Sequence, residues 1–305
     1  MKNLLTALII LSATSLFAQQ DPLYSQYMFN KLALNPGYAG SRELLSADLI
    51  YRNQWVNFEG APKTISASIH SPLQNPHLAL GFNAYNDRFG PINNTGAMAT
   101  FAYRLIFPDS KLSFGLSAGV KNNGIVWNDF ISFDEQDPFL NSQVNQTLVP
   151  DASFGVYYYS DKLYLGLSSR QLLQNQSLVI TDTVGNKQLT RLLVHLYGIA
   201  GVAVPLGDNV VFRPSLLAKF VKNAPPQLDL NASFLFANTF WLGVSYRTEK
   251  AVSVITEINV TQDLRIGYSY DIWLNELKVY NKGSHEIRLS YDFNVNNRIL
   301  TPRYF

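Results

Sequence analysis

Long stretches of this chain alternate apolar and polar residues with a period of two, and no other feature limits its fold as much. From position 112, Leu112, Phe114, Leu116, Ala118 and Val120 fall on one face and Ser113, Gly115, Ser117, Gly119 and Lys121 on the other. The pattern returns at Leu264, Ile266, Tyr268, Tyr270 and Ile272 against Arg265, Gly267, Ser269 and Asp271. It returns again at Ile287, Leu289, Tyr291 and Phe293 against Glu286, Arg288, Ser290 and Asp292. Successive strand residues point to opposite faces, whereas a helix would group every third or fourth residue, so the chain reads as all-β. Alternation alone leaves a large soluble sandwich open. The polar faces, rich in Gly and Ser with charges of both signs, and spans of about ten residues or more favour tilted strands that cross a bilayer.

Composition supports that choice. Only 15% of residues are charged while 13% are aromatic, and past residue 18 no run is long and apolar enough for a membrane helix. A transmembrane antiparallel β-barrel has this profile, because lipid-facing and lumen-facing residues cancel along each strand. With 24 basic against 22 acidic residues there is no charge excess to attract nucleic acid. The chain has no cysteine, which excludes both disulfides and acylation on cysteine.

Fourteen strands are expected, near 44–55, 63–72, 77–87, 96–107, 111–123, 151–159, 162–171, 191–206, 209–221, 226–237, 239–248, 250–260, 263–273 and 284–293. Connections after even-numbered strands are then all short, while 124–150, 172–190 and 274–283 follow odd-numbered ones. Bacterial barrels have short periplasmic turns and longer external loops, and this strand count satisfies the rule throughout. Residues 1–18 read as a secretory signal peptide, with Lys2 before an apolar run and Leu16-Phe17-Ala18 at the cut. The expected organisation is signal peptide 1–18, an amino-terminal periplasmic or plug segment 19–43, one barrel domain 44–293 and a tail 294–305.

Nothing in the chain reads as catalytic. Of its four histidines, His70, His77, His195 and His285, two adjoin a serine, at His70-Ser71 and Ser284-His285. Neighbours on one strand face opposite ways, so neither pair makes a nucleophile and base. No nucleophile-elbow, phosphate-loop or zinc-ligand spacing occurs, and no cofactor is expected. The acidic stretch Asp129, Asp134, Glu135 and Asp137 departs from EF-hand spacing and reads as a solvated loop. Charges on the polar faces, namely Asp48, Arg52, Arg104, Lys121, Arg247, Glu257, Arg265, Asp271, Glu286, Arg288 and Asp292, are prohibitive toward lipid. They are expected to line the lumen as ion pairs, since a selective pore shows one dominant sign.

Residues 20–43 are not a strand. Asp21 suits a helix N-cap and Pro22 a first helical position, with Leu23, Tyr27, Leu32 and Leu34 along one face until Asn35-Pro36-Gly37. A periplasmic strut, a lumen plug and a docking element for a partner are all compatible with such a segment. Its residues are also distinctive in themselves. Asp21-Pro22, Ser25-Gln26-Tyr27-Met28-Phe29-Asn30, Leu34-Asn35-Pro36 and Tyr38-Ala39-Gly40 resemble the opening block of the PorP/SprF family, and Pro302-Arg303-Tyr304-Phe305 is similar to that family's terminus. The resemblance implies an outer-membrane protein of Bacteroidota associated with the type IX secretion system and with gliding adhesins. It implies as partners other components of that system and a secreted substrate or adhesin carrying a C-terminal sorting domain. External loops 124–150 and 172–190 are the expected substrate contacts, with lipid around the wall. Asp21, Pro22, Gln26, Tyr27, Asn35, Pro36, Ala39, Gly40 and Pro302 to Phe305 are the signature positions carried over. The alternative reading is a channel or transporter for small molecules.

Overall fold

The computed structural model of the protein describes residues 21–125, 147–181 and 187–293. The signal peptide, most of the acidic loop and the tail with Pro302, Arg303, Tyr304 and Phe305 lie outside the described residues. The strands are β1 (Leu45–Asn53), β2 (Lys63–Pro72), β3 (Leu78–Phe89), β4 (Ile92–Ile106), β5 (Ser110–Ile125), β6 (Thr147–Ser160), β7 (Leu163–Arg170), β8 (Gln176–Thr181), β9 (Lys187–Arg191), β10 (His195–Val202), β11 (Val204–Pro205), β12 (Val210–Val221), β13 (Gln227–Phe236), β14 (Phe240–Arg247), β15 (Ala251–Asn259), β16 (Leu264–Trp273) and β17 (Ser284–Phe293). Each neighbouring pair in the wall is antiparallel. β1 pairs with β17 from Leu45↔Phe293 to Asn53↔His285, so the sheet closes on itself. With β11 continuing β10, and β8 and β9 forming a separate hairpin, fourteen strands make the barrel, as the alternation indicates. Closure leaves no unpaired edge.

The wall has its polarity inverted relative to a water-soluble protein. On its outer face Leu116 is 56% exposed and Leu167 70%, whereas inward-facing Arg104 and Glu286 are fully buried. This arrangement is stable only where the outside is hydrocarbon and the inside supplies partners for charge. Among the described residues no helix is long and apolar enough to cross a membrane, so the strands do the crossing.

The wall differs locally from the sequence reading in two places. β3 and β4 run on until only Gly90 and Pro91 separate them, because Asn86, Asn93 and Thr95 hydrogen-bond across the extended hairpin. And the connection expected over 172–190 contains the β8–β9 hairpin.

Candidate functional site: the filled lumen

Residues 21–43 form a strap inside the barrel. Tyr24 to Gly40 are all buried, and their partners come from around the wall: β2, β6, β7, β12, β16 and β17 each contribute a hydrogen bond. The helix expected from Asp21-Pro22 does not form. The strap contains two 3-10 turns, Lys31–Ala33 and Pro36–Tyr38, linked by irregular backbone. An α-helix satisfies its amides internally. Here strap carbonyls take only some of the amides, as where Asn35 donates to Lys31 at 2.8 Å and Ala39 to Pro36 at 3.1 Å, and the wall and the strap's own side chains take others: Ser25 and Gln26 donate their backbone N–H groups to Glu286 at 2.9 and 2.8 Å, Gly40 donates to His70 Nδ1 at 3.1 Å, and Gly37 donates to the Asn35 side chain at 2.8 Å.

Five groups of side chains hold the strap. Asp21 accepts from Gln171 Nε2 (2.6 Å) and the Tyr197 hydroxyl (3.1 Å), and pairs with Arg170 (3.2 Å) and Lys121 (3.4 Å). Arg52 bridges Asp271 (2.6 Å) and Glu286 (3.0 Å) and donates to Ser25 Oγ, which itself donates to Asp271. Arg288 pairs with Asp48 and Glu257, donates to the Phe29 carbonyl and lies over the Phe29 ring. Arg104 donates to the Gly40 carbonyl (2.7 Å) and pairs with Glu43, which also meets Lys111. Arg42 and Arg265 share Asp292 at 2.9 and 2.6 Å.

The middle of the strap is fixed by fit. Asn35 Nδ2 donates to the carbonyls of Val156 and Leu167, the Ser168 hydroxyl donates to the Leu34 carbonyl, and the Lys31 ammonium sits over the faces of Tyr164 and Tyr38. Register partners Gly115 on β5 and Gly155 on β6 give the strap its seat. A Cβ at Gly115 would lie 2.2 Å from the Pro36 carbonyl carbon, and one at Gly155 2.1 Å from Asn35 Oδ1. Tyr27 reaches Ser215 and the Asp229 carbonyl through its hydroxyl, and Ala39 is fully buried.

The structure thus gathers Arg52 with Asp271, Glu257 with Arg288, and Arg265 with Asp292, while Arg247 pairs with Asp229. Sequence reasoning missed Ser25, Lys31, Arg42, Glu43, Asp151, Arg170 and Asp229 as members of the interior. Arg170 and Asp229 lay on expected strands in phase with inward residues, so alternation carried their signal. The strap residues had no such signal, because an irregular segment has no period. Buried carboxylates and cations are equal in number, nine of each among the described residues. Two crevices between strap and wall have volumes of about 10 and 20 Å³, room for roughly a single water each.

All four histidines have packing roles. His70 accepts from Gly40, His77 and His195 contact backbone carbonyls, and His285 meets the Tyr268 hydroxyl. Among the described residues no group of His, Asp or Glu is arranged to hold a metal.

The fold is similar to that of CymD, a monoaromatic hydrocarbon channel, at TM-score 0.50 and 12% identity over 89% of this chain and 93% of that one. The Ralstonia pickettii toluene transporter TbuX matches at TM-score 0.49 and 8% identity over 88% and 93%, and a Pseudomonas aeruginosa FadL homologue at 0.49 and 11% over 92% and 96%. At these identities the likeness is one of fold, that of outer-membrane barrels. No curated protein matches the chain in sequence. A family model does: the one described as type IX secretion system membrane protein PorP/SprF matches residues 16–291, which takes in the strap and nearly the whole barrel. The chain is an outer-membrane β-barrel that belongs to the PorP/SprF family.

Proposed function

We propose that this barrel is a closed anchor of the type IX apparatus, holding a secreted substrate or adhesin at the cell surface by docking its C-terminal sorting domain on the external side. The observation that carries the reading is the filled lumen. A strap bonded to strands around the wall, crevices of only about 10 and 20 Å³ beside it, and equal numbers of buried acids and cations among the described residues support a filled interior over a solute path with a selective field. Family membership supplies the association with the secretion system. Long connections on one rim supply the docking face, since outer-membrane barrels place their longer loops outside.

Two measurements test it. In planar bilayers the purified protein is expected to show no steady conductance, and deletion of residues 21–40 to create it. Steady conductance of the intact protein would replace the anchor with the channel reading. In cells, deletion of residues 129–145 is expected to leave the barrel assembled, because a loop can be shortened without touching strand register. A large surface protein should then appear in the medium. Unchanged surface display, gliding and secretion would overturn the docking proposal.

A further inference from the structure

The strap has a direction, and it is opposite to that expected of a periplasmic segment. Gly40 and Glu43, which lead into β1, bind His70 near the end of β2, Arg104 near the end of β4 and Lys111 at the start of β5. These positions border the short turns. Phe29 binds Arg288, farther along the wall. Ser25 binds Arg52 at the end of β1, Asp271 at the end of β16 and Glu286 at the start of β17. Asp21 binds Lys121, Arg170 and Gln171, where β5 and β7 approach their long connections. Twenty residues therefore traverse the wall from one rim to the other, with Asp21 at the rim of the long loops.

We infer that the strap enters the lumen from the outside of the cell, so that its head, Asp21 to Leu23, is a surface element that an externally docked protein meets. This rests on the proposed orientation, in which the long connections are external. Two observations limit what the head offers. Pro22 and Leu23 are partly exposed, whereas every residue from Tyr24 to Gly40 is buried. The crevice beside the head, lined by Asp21, Pro22, Leu23, Tyr24, Tyr197 and Lys219 among others, holds only about 10 Å³. A partner segment therefore has no room to pass beneath the head and contacts it from above. The Asp21 cluster keeps the head in place: two cations, an amide and a phenol converge on one buried carboxylate, an arrangement that is costly to leave half-made.

The same geometry bears on assembly. β1 follows the strap directly and pairs with β17, the last strand. Arg52 on β1, Asp271 on β16 and Glu286 on β17 all meet at Ser25, so the strap joins the two sides of the closing seam from within.

The natural chain has no cysteine, so single cysteines report position cleanly. Leu23→Cys, Lys278→Cys in the 274–283 connection and Asp161→Cys in the β6–β7 turn are each exposed to an impermeant maleimide on intact cells. Labelling of Leu23→Cys and Lys278→Cys, with Asp161→Cys labelled only after the outer membrane is permeabilised, is the expected result. If Lys278→Cys labels on intact cells but Leu23→Cys labels only after permeabilisation, or in neither state, the strap direction is wrong while the barrel orientation stands. If Asp161→Cys alone labels on intact cells, the barrel is inverted and the external docking reading falls with the inference. An epitope inserted before Asp21 and read with antibody on intact cells replaces Leu23→Cys should that variant fail to assemble: antibody binding supports the inference, and binding only after permeabilisation overturns it.

Discussion

Gly115→Ala is expected to abolish assembly of the barrel around its strap, although the change adds one methyl group. The new Cβ would stand 2.2 Å from the Pro36 carbonyl carbon, 2.3 Å from the Gly37 nitrogen and 2.4 Å from the Pro36 oxygen. Over-packing costs about 1–3 kcal/mol where side chains can yield. Here every near atom belongs to backbone, so relief requires the strap to lift, which breaks the Asn35 bonds to Val156 and Leu167. Gly198→Ala is the matched control, since its nearest neighbours are side-chain carbons at 3.7 and 3.9 Å. It should be neutral or slightly stabilising, because glycine weakens a strand interior by about 0.5–1 kcal/mol. The readout is the heat-modifiable folded band in outer-membrane fractions. Combining Gly115→Ala with deletion of 21–40 sharpens the test: if the clash is with the strap, alanine adds no further loss once the strap is gone. Equal assembly of Gly115→Ala and Gly198→Ala would mean that the strap does not occupy this seat.

That prediction turns on a contact that sequence alone could not locate. Alternation fixed the strands because each strand position is bound to a face by the pleat, and an inward Arg or Asp announces itself by falling among Ser and Gly. Arg52, Arg104, Glu257 and Arg288 were legible in this way, and so was the count of fourteen. The strap was legible as a non-strand, with a lumen plug as one of three readings and nothing in the residues to choose among them. Pro36 and Asn35 mark an interruption, but they do not say what lies on the other side, and the wall glycines at 115 and 155 read equally well as the polar face of any strand. A helix was expected at Asp21-Pro22 because capping rules assume a backbone that must satisfy itself. Within this lumen Glu286 and His70 take the amides instead. Pair identity was likewise beyond reach. That Arg265 and Asp292 share a group with Arg42 depends on a strap residue far away in sequence.

Arg52→Leu is the second substitution with a large expected effect, and it tests whether the strap and the seam are stabilised by one network. The guanidinium lies 2.6 Å from Asp271 and 3.0 Å from Glu286 and donates to Ser25 Oγ at 2.8 Å, with the side chains of Asp271 and Glu286 fully buried. Its removal leaves two carboxylates with no cation between them, and breaking a buried pair costs about 3–5 kcal/mol because the remaining charge is uncompensated. Arg52→Lys should fall between, since an ammonium is a point charge that cannot span both carboxylates and the serine as a planar fork does. Arg52→Leu combined with Asp271→Asn and Glu286→Gln should recover much of the loss, because neutralising all members together removes the stranded charge. The measurement is the temperature at which the folded band is lost, taken together with bilayer conductance. A structural network predicts that Arg52→Leu lowers this temperature and raises leak current together, as the strap loosens from the seam at Ser25. Conductance that rises while the transition stays at the wild-type temperature would separate the two, and Arg52 would then guard the lumen without stabilising the barrel. An unchanged transition and an unchanged current would show that the strap is held without the Arg52 network, by its other anchors and its seat at Gly115 and Gly155.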